Sequence, residues 1–214
     1  MRHSIFHHAG TTRELTSDAW PQLITDGGYE AVIFDCDGTL VESGEAHFNA
    51  FQTAVRAQGY EMDRTWYNAR TGLDRKSILA ELAKTVDGPF DVGSAVSGSI
   101  SAFISGSSAV LPIPETTDLA RILRQTHKLA VVTNSEKQVA AASLCAIGMQ
   151  TSFDHVVTIS DGLPPKPAPD LFIAAAKRLN TSVTKTLVLE DSKEGVQAAT
   201  QAGMDVLQIM PATE

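Results

Sequence analysis

The chain has 214 residues, 43% apolar and 20% charged, with a formal net charge of -8, the balance of a globular protein able to bury a full core. The acidic charge argues against a general nucleic-acid surface, which needs a broad basic face. No apolar stretch approaches the ~20 residues that span a bilayer, so no membrane partner is expected.

Residues 1–28 precede the first apolar run and form an N-terminal extension of no evident role. They lack a hydrophobic core of the signal-peptide kind. His3, His7 and His8 have no matching carboxylate or cysteine pattern and are expected in a frayed, solvated terminus, and Trp20 and Leu23 are the residues that could pack the extension on the core. AVIF (Ala31 to Phe34) is the first strand. The interval from Ser43 to about Pro112 then shows helical spacing: Phe48, Phe51 and Val55, then Ile78, Leu82 and Val86, and a Ser/Gly-rich segment with Val96, Ile100 and Phe103 or Ile104 on one face. That last segment is expected as a helix, with a mobile stretch as the alternative, because Ser and Gly are poor helix formers. Four more runs follow, LAVVT (129–133), HVVTI (155–159), TLVLE (186–190) and DVLQI (205–209), separated by helical segments. One of these puts Val139, Ala142 and Ala146 on a stripe, another Leu171, Ala175 and Leu179. Near-continuous apolar strands alternating with helices predict an α/β, Rossmann-like parallel sheet with right-handed crossovers. The domain expectation is a core of 29–42 and 113–214 with a small helical cap, 43–112, inserted. Cys36 and Cys145 lie far apart and are expected as reduced apolar fillers, which together with the missing leader points to the cytoplasm.

Ligands of parallel α/β sheets bind beyond the carboxyl ends of the strands. There stand Asp35 and Asp37 in FDCDGTLVES, then Thr133, Asn134 and Ser135, then Glu190, Asp191 and Ser192. Asp35 and Asp37, two apart on an extended strand, face one side, so one can attack while the other moves a proton. Gly38 permits a sharp turn within which Thr39 can hydrogen-bond; a plain Asp-Gly turn is the structural alternative. Carboxylates gathered at strand ends repel unless a cation sits among them, and an all-oxygen set suits Mg²⁺. Lys166, between Pro165 and Pro167 in PPKPAPDLF, has little backbone freedom and can be aimed.

FDCDGTLVES, VVTNS, the lysine of KPAPDLF and LVLEDSKEGVQAA, in that order at strand ends, resemble the four motifs of the haloacid dehalogenase-like hydrolase superfamily, over Tyr29 to Met210. The resemblance implies Asp35 as the nucleophile that becomes an aspartyl-phosphate, Asp37 as general acid and base, Thr133 as the hydroxyl holding phosphoryl oxygens, and Lys166 as the cation steadying both. It implies Asp35, the Asp37 carbonyl, Glu190 and Asp191 around Mg²⁺, with Gly38, Thr39 and Asn134 lining the substrate site. Members that displace halide from carbon lack the second aspartate. The helical insert is similar to caps of sugar-phosphate phosphatases and β-phosphoglucomutase: His47 in GEAHFNAF matches a histidine that times proton transfer, and Arg75 in RTGLDRKSIL matches an arginine that grips a distal phosphate. His47 could instead border the packed face of Phe48 and Phe51, and Arg75 could be a solvated charge. The expected activity is Mg²⁺-dependent hydrolysis of small phosphate monoesters, sugar phosphates first. A β-phosphoglucomutase-like mutase is the alternative, a non-enzymatic module binding phosphorylated metabolites the third reading. Oligomeric state is not readable.

Overall fold

In the structure, a computed structural model that describes residues 1–211, the chain enters through a hairpin. β1 (His3–His8) and β2 (Thr11–Thr16) meet at Ala9 and Gly10, whose φ angles of 48° and 77° suit the tight turn whose twist matches that of paired strands. α1 (Trp20–Gly27) leads to β3 (Ala31–Phe34), and a short β4 (Val41–Glu42) opens the helical interval: α2 (Gly44–Arg56), α3 (Arg64–Asn68), α4 (Arg75–Ala83) and α5 (Val92–Gly106). β5 (Leu111–Pro112) pairs with β4 on the way back. The remainder alternates: α6 (Pro114–Leu123), β6 (Lys128–Thr133), α7 (Lys137–Ala146), β7 (His155–Thr158), α8 (Asp170–Arg178), β8 (Thr186–Glu190), α9 (Lys193–Gln201) and β9 (Asp205–Ile209).

The main sheet runs β2-β1-β9-β8-β3-β6-β7, with β9 to β7 mutually parallel and β1 antiparallel to β9. β3 is wholly buried because both its faces are covered. Val32 and Phe34 join a cluster with Trp20, Leu119, Leu123 and Leu144, while Ala31 and Ile33 join Leu171, Phe172, Ala175 and Ala198 on the other face. That two-sided cover is why its sequence is continuously apolar rather than alternating.

Residues 1–28 pack on the core through Trp20 and Leu23, and they also add to the sheet: β1 runs along β9, pairing Ser4 with Ile209, and fully buried Trp20 donates to Ser4 Oγ at 2.9 Å. Two expectations need correction. The terminus is not frayed, since His7 Nε2 lies 3.0 Å from Gln208 Oε1 and His8 Nδ1 2.8 Å from Asp205 Oδ2. Neither strand carries an apolar run, because β1 is only partly buried and β2 is mostly exposed. On α7 the buried stripe is Val139, Ala140, Ser143 and Leu144; Ala146 and Cys145 face solvent, so only Cys36 is a buried filler.

The Ser/Gly-rich segment is a helix, α5. Asp91 caps it by accepting from Ser94 N at 3.0 Å. Its buried residues are Ala95, Ser99 and Phe103. Small side chains bring α5 against α2, where a β-carbon on Gly98 would lie 3.4 Å from the Ala54 β-carbon, so tertiary packing compensates for weak propensity. A separate cluster of Phe51, Val55, Met62, Tyr67, Ile78, Leu79 and Leu82 ties α2 to α4 together.

Candidate active site

β3 lies between β8 and β6, so the carboxyl ends of three neighbouring strands bring Asp35, Asp37, Thr133, Glu190 and Asp191 to one place. The chain turns at Gly38, φ +89°, with its N–H donating to Val41 O at 2.8 Å. A β-carbon there would collide with the Asp191 carboxylate, so glycine is required by conformation and by space.

Lys166 is the charge pivot. It is 3% exposed, and its ammonium donates to Asp35 Oδ1 at 2.7 Å and to Glu190 Oε2 at 2.6 Å. Burial disfavours the charged amine, but the two carboxylates outweigh it and hold its pKa above the ordinary lysine value. Asn134 fastens the lysine loop: its Oδ1 accepts from Lys166 N at 2.8 Å, and its Nδ2 donates to Lys166 O at 3.1 Å and to Gly72 O at 3.0 Å. Anticipated as a substrate contact, Asn134 has both amide donors and its carbonyl engaged in clamping two backbone segments.

Asp37 is held on the opposite side. Its Oδ1 accepts from Ser43 Oγ at 2.7 Å and lies 2.9 Å from His47 Nε2; its Oδ2 accepts from Ser135 Oγ at 2.8 Å and, more weakly, from Thr133 Oγ1 at 3.4 Å. Burial raises the Asp37 pKa, yet the His47 charge and the hydrogen bonds from His47, Ser43 and Ser135 prevail and keep it below the usual carboxylate range. Thr39 is fully buried and its hydroxyl reaches Asp191 Oδ1 at 3.4 Å, away from the cavity wall.

Asp35, Glu190 and Asp191 offer oxygens within 4.8 Å of one another. Burial and then the neighbouring Glu190 raise Asp35 well above the ordinary value, with Lys166 opposing; the same two causes push Asp191 up to about 7. One lysine therefore does not balance the acids. Asp35 Oδ2 is buried with no hydrogen-bond partner, and buried polar atoms seldom lack one. An oxygen-only donor set with surplus negative charge and an unpartnered oxygen fits a hard divalent cation. Glu190 would share its oxygens, since Oε1 also accepts from Ser192 N at 3.0 Å and Ser192 Oγ at 2.8 Å.

Above this floor lies a cavity of about 660 Å³ walled by both the core loops and the helical insert, including His47, Tyr67, Asn68, Arg75 and Glu136. His47 and Arg75 are both buried, His47 stacking on Phe103 at 4.3 Å. Arg75 Nε donates to Glu136 Oε2 at 3.1 Å, Nη2 lies 3.4 Å from His47 Nδ1, and Phe51 sits 4.8 Å beneath the guanidinium. The sequence reasoning missed the roles of Ser43, Ser135 and Glu136. The latter two directly follow Thr133 and Asn134, and that adjacency was the available signal. Ser43 carried none beyond closing the first motif.

A family model described as haloacid dehalogenase-like hydrolase matches residues 32–209. Fructose-1-phosphate phosphatase YqaB of Escherichia coli is 29% identical, over 85% of this chain and 96% of that one. A phosphorylated carbohydrates phosphatase of Thermotoga maritima is 27% identical over 82% of each chain. The crystal structure of CbbY from Rhodobacter sphaeroides in complex with phosphate superposes with a TM-score of 0.78 at 26% identity, covering 83% of this chain and 84% of that one. A mutant of the same protein has been crystallised with xylulose-(1,5)bisphosphate.

Proposed function

This chain belongs to the haloacid dehalogenase-like hydrolase family, and from that premise we propose that it is a phosphohydrolase of small sugar phosphates, working through an aspartyl-phosphate on Asp35. The observation that carries the reading is the buried Asp35 carboxylate on the cavity floor, with one oxygen fixed by Lys166 and the other without a partner. The names of the phosphatase relatives point the same way.

In this reading residues 43–112 act as a cap over a core of 29–42 and 113–214, to which residues 1–28 add sheet. Asp35 attacks phosphorus, the ester P–O bond breaks, and the leaving oxygen takes a proton from Asp37. Asp37 rests as a carboxylate, so it must first be charged with that proton; His47 Nε2, 2.9 Å from Asp37 Oδ1, is placed to pass one. Asp37 then removes a proton from water, which attacks phosphorus and breaks the bond to Asp35, releasing inorganic phosphate. Lys166 and the Thr133 hydroxyl hold phosphoryl oxygens, and phosphoryl transfer needs mainly such positioning and neutralisation. Mg²⁺, held by Asp35, Glu190, Asp191 and the Asp37 carbonyl, would supply the charge that offsets the phosphoryl oxygens. A mutase must grip a second phosphate while the sugar reorients; here the buried cap cation Arg75 is already paired with Glu136, which favours hydrolysis.

The experiment is phosphate release from a panel of sugar phosphates and small phosphomonoesters with Mg²⁺, with Asp35→Asn beside the wild type. Release by the wild type and none by Asp35→Asn is the expected result. Interconversion of phosphosugars without release would replace hydrolase by mutase, and no turnover of any kind would leave a binding module.

A further inference from the structure

We propose, resting on the phosphohydrolase reading, that Glu136 is a specificity residue that restricts the substrate to a single phosphate carried on a neutral, hydroxylated body. Recognition of a second phosphate would need an uncompensated cation in the cavity away from Asp35. Among the described residues, Arg75 and Lys166 are the buried cations on the cavity wall, and Lys166 is bound to Asp35 and Glu190. Lys193, also on the wall, is exposed to solvent, where screening weakens its pull on a second phosphate.

Arg75 is not free to serve a dianion. Glu136 holds its Nε at 3.1 Å, and both side chains are largely removed from water, 3% and 13% exposed. In that setting the pair presents little net charge, and the attraction and repulsion that a distant phosphate feels nearly cancel. A phosphate brought close to Arg75 would meet the Glu136 carboxylate, and juxtaposed like charges in a desolvated site exclude the wrong partner.

The pair still has hydrogen-bonding capacity. Both side chains line the cavity; a guanidinium carries five N–H donors, and a carboxylate oxygen accepts more than one hydrogen bond. A donor beside an acceptor matches a sugar hydroxyl, which both accepts and donates. It does not match a phosphate dianion, which only accepts. The CbbY complex with a bisphosphorylated ketose makes the distinction a real one within this fold.

The test compares kcat/KM for fructose 1-phosphate and fructose 1,6-bisphosphate in wild type, Glu136→Gln and Glu136→Asp. The wild type should prefer the monophosphate; Glu136→Gln, which keeps the shape and removes the charge, should narrow the preference about tenfold, and Glu136→Asp should retain it. A ratio unmoved by Glu136→Gln overturns the proposal. Should that variant fail to fold, the wild type alone decides: inhibition of its p-nitrophenyl phosphate turnover by the bisphosphate at least as tight as by the monophosphate also overturns it. Failure of the phosphohydrolase reading looks different, with no release from any of the three compounds, and calorimetric binding of the two sugars to the wild type then reports directly whether the second phosphate is rejected.

Discussion

Replacing Gly195 by alanine sets local and tertiary physics against each other. Gly195 sits in the first turn of α9, where alanine is the better helix former by about 1 kcal/mol, so propensity alone predicts a more stable protein. But a β-carbon there would fall on the Glu190 carboxylate. Glu190 is 1% exposed and is fixed by Lys166 at 2.6 Å and by two groups of Ser192. Pushing it aside breaks a buried ion pair, which costs about 3–5 kcal/mol. Subtracting the helix gain leaves a net loss of roughly 2–4 kcal/mol. For a chain of this size that lowers Tm by roughly 4–16 °C. Because Lys166 also holds Asp35, a displacement near 1 Å should cost about 10²-fold in turnover. Calorimetry and a phosphate-release assay on Gly195→Ala measure both. Gly106→Ala, at the end of α5 with nothing within 4 Å of the added carbon, is the control and should gain up to about 1 kcal/mol. A Gly195→Ala protein as stable and as active as the wild type would refute the reasoning.

The acidic cluster should make Mg²⁺ a stabiliser: at a hundredfold excess over Kd the gain is about 2.7 kcal/mol, read as a thermal shift reversed by chelation. Asp191→Asn should lose most of that shift, and an undiminished one would remove Asp191 from the cation site. Deleting residues 1–18 should bare the β9 edge from Val206 to Ile209, which β1 now covers, and drive association, seen by light scattering; a monodisperse, stable product would show the hairpin to be dispensable. Asp161 accepts from Arg178 at 2.6 Å and from Thr158 N at 2.8 Å. Burial raises its pKa, but these bonds prevail and hold it below the ordinary value. Its contribution is therefore full above the unfolded carboxylate pKa of about 4 and lost as pH falls through the lower folded value. The Tm deficit of Asp161→Asn at pH 7 should close as pH drops from 5 toward 2; a deficit constant over that range would contradict the assignment.

Much was legible from residue order because the relevant physics is local in the chain. Doubly covered strands must be apolar throughout, and groups that follow them must emerge at the carboxyl edge, so Asp35, Asp37, Thr133, Lys166, Glu190 and Asp191 could be named before any geometry. The resemblance singled out His47 and Arg75, but that both are buried emerged only in the fold. What sequence could not supply depends on partners distant along the chain. The β1–β2 hairpin has too little apolar character to announce itself and exists because β9 offers an unpaired edge. α5 is helical despite its serines and glycines because small residues let it approach α2. The clamping role of Asn134 came into view only once the loop of Lys166 and the backbone of Gly72 lay beside it. Glu136 gained meaning only when folding set it 3.1 Å from Arg75, 61 residues away. Periodicity and strand-end position are written along the chain, whereas the charge balance of a cavity is a sum over everything folding brings within a few ångströms.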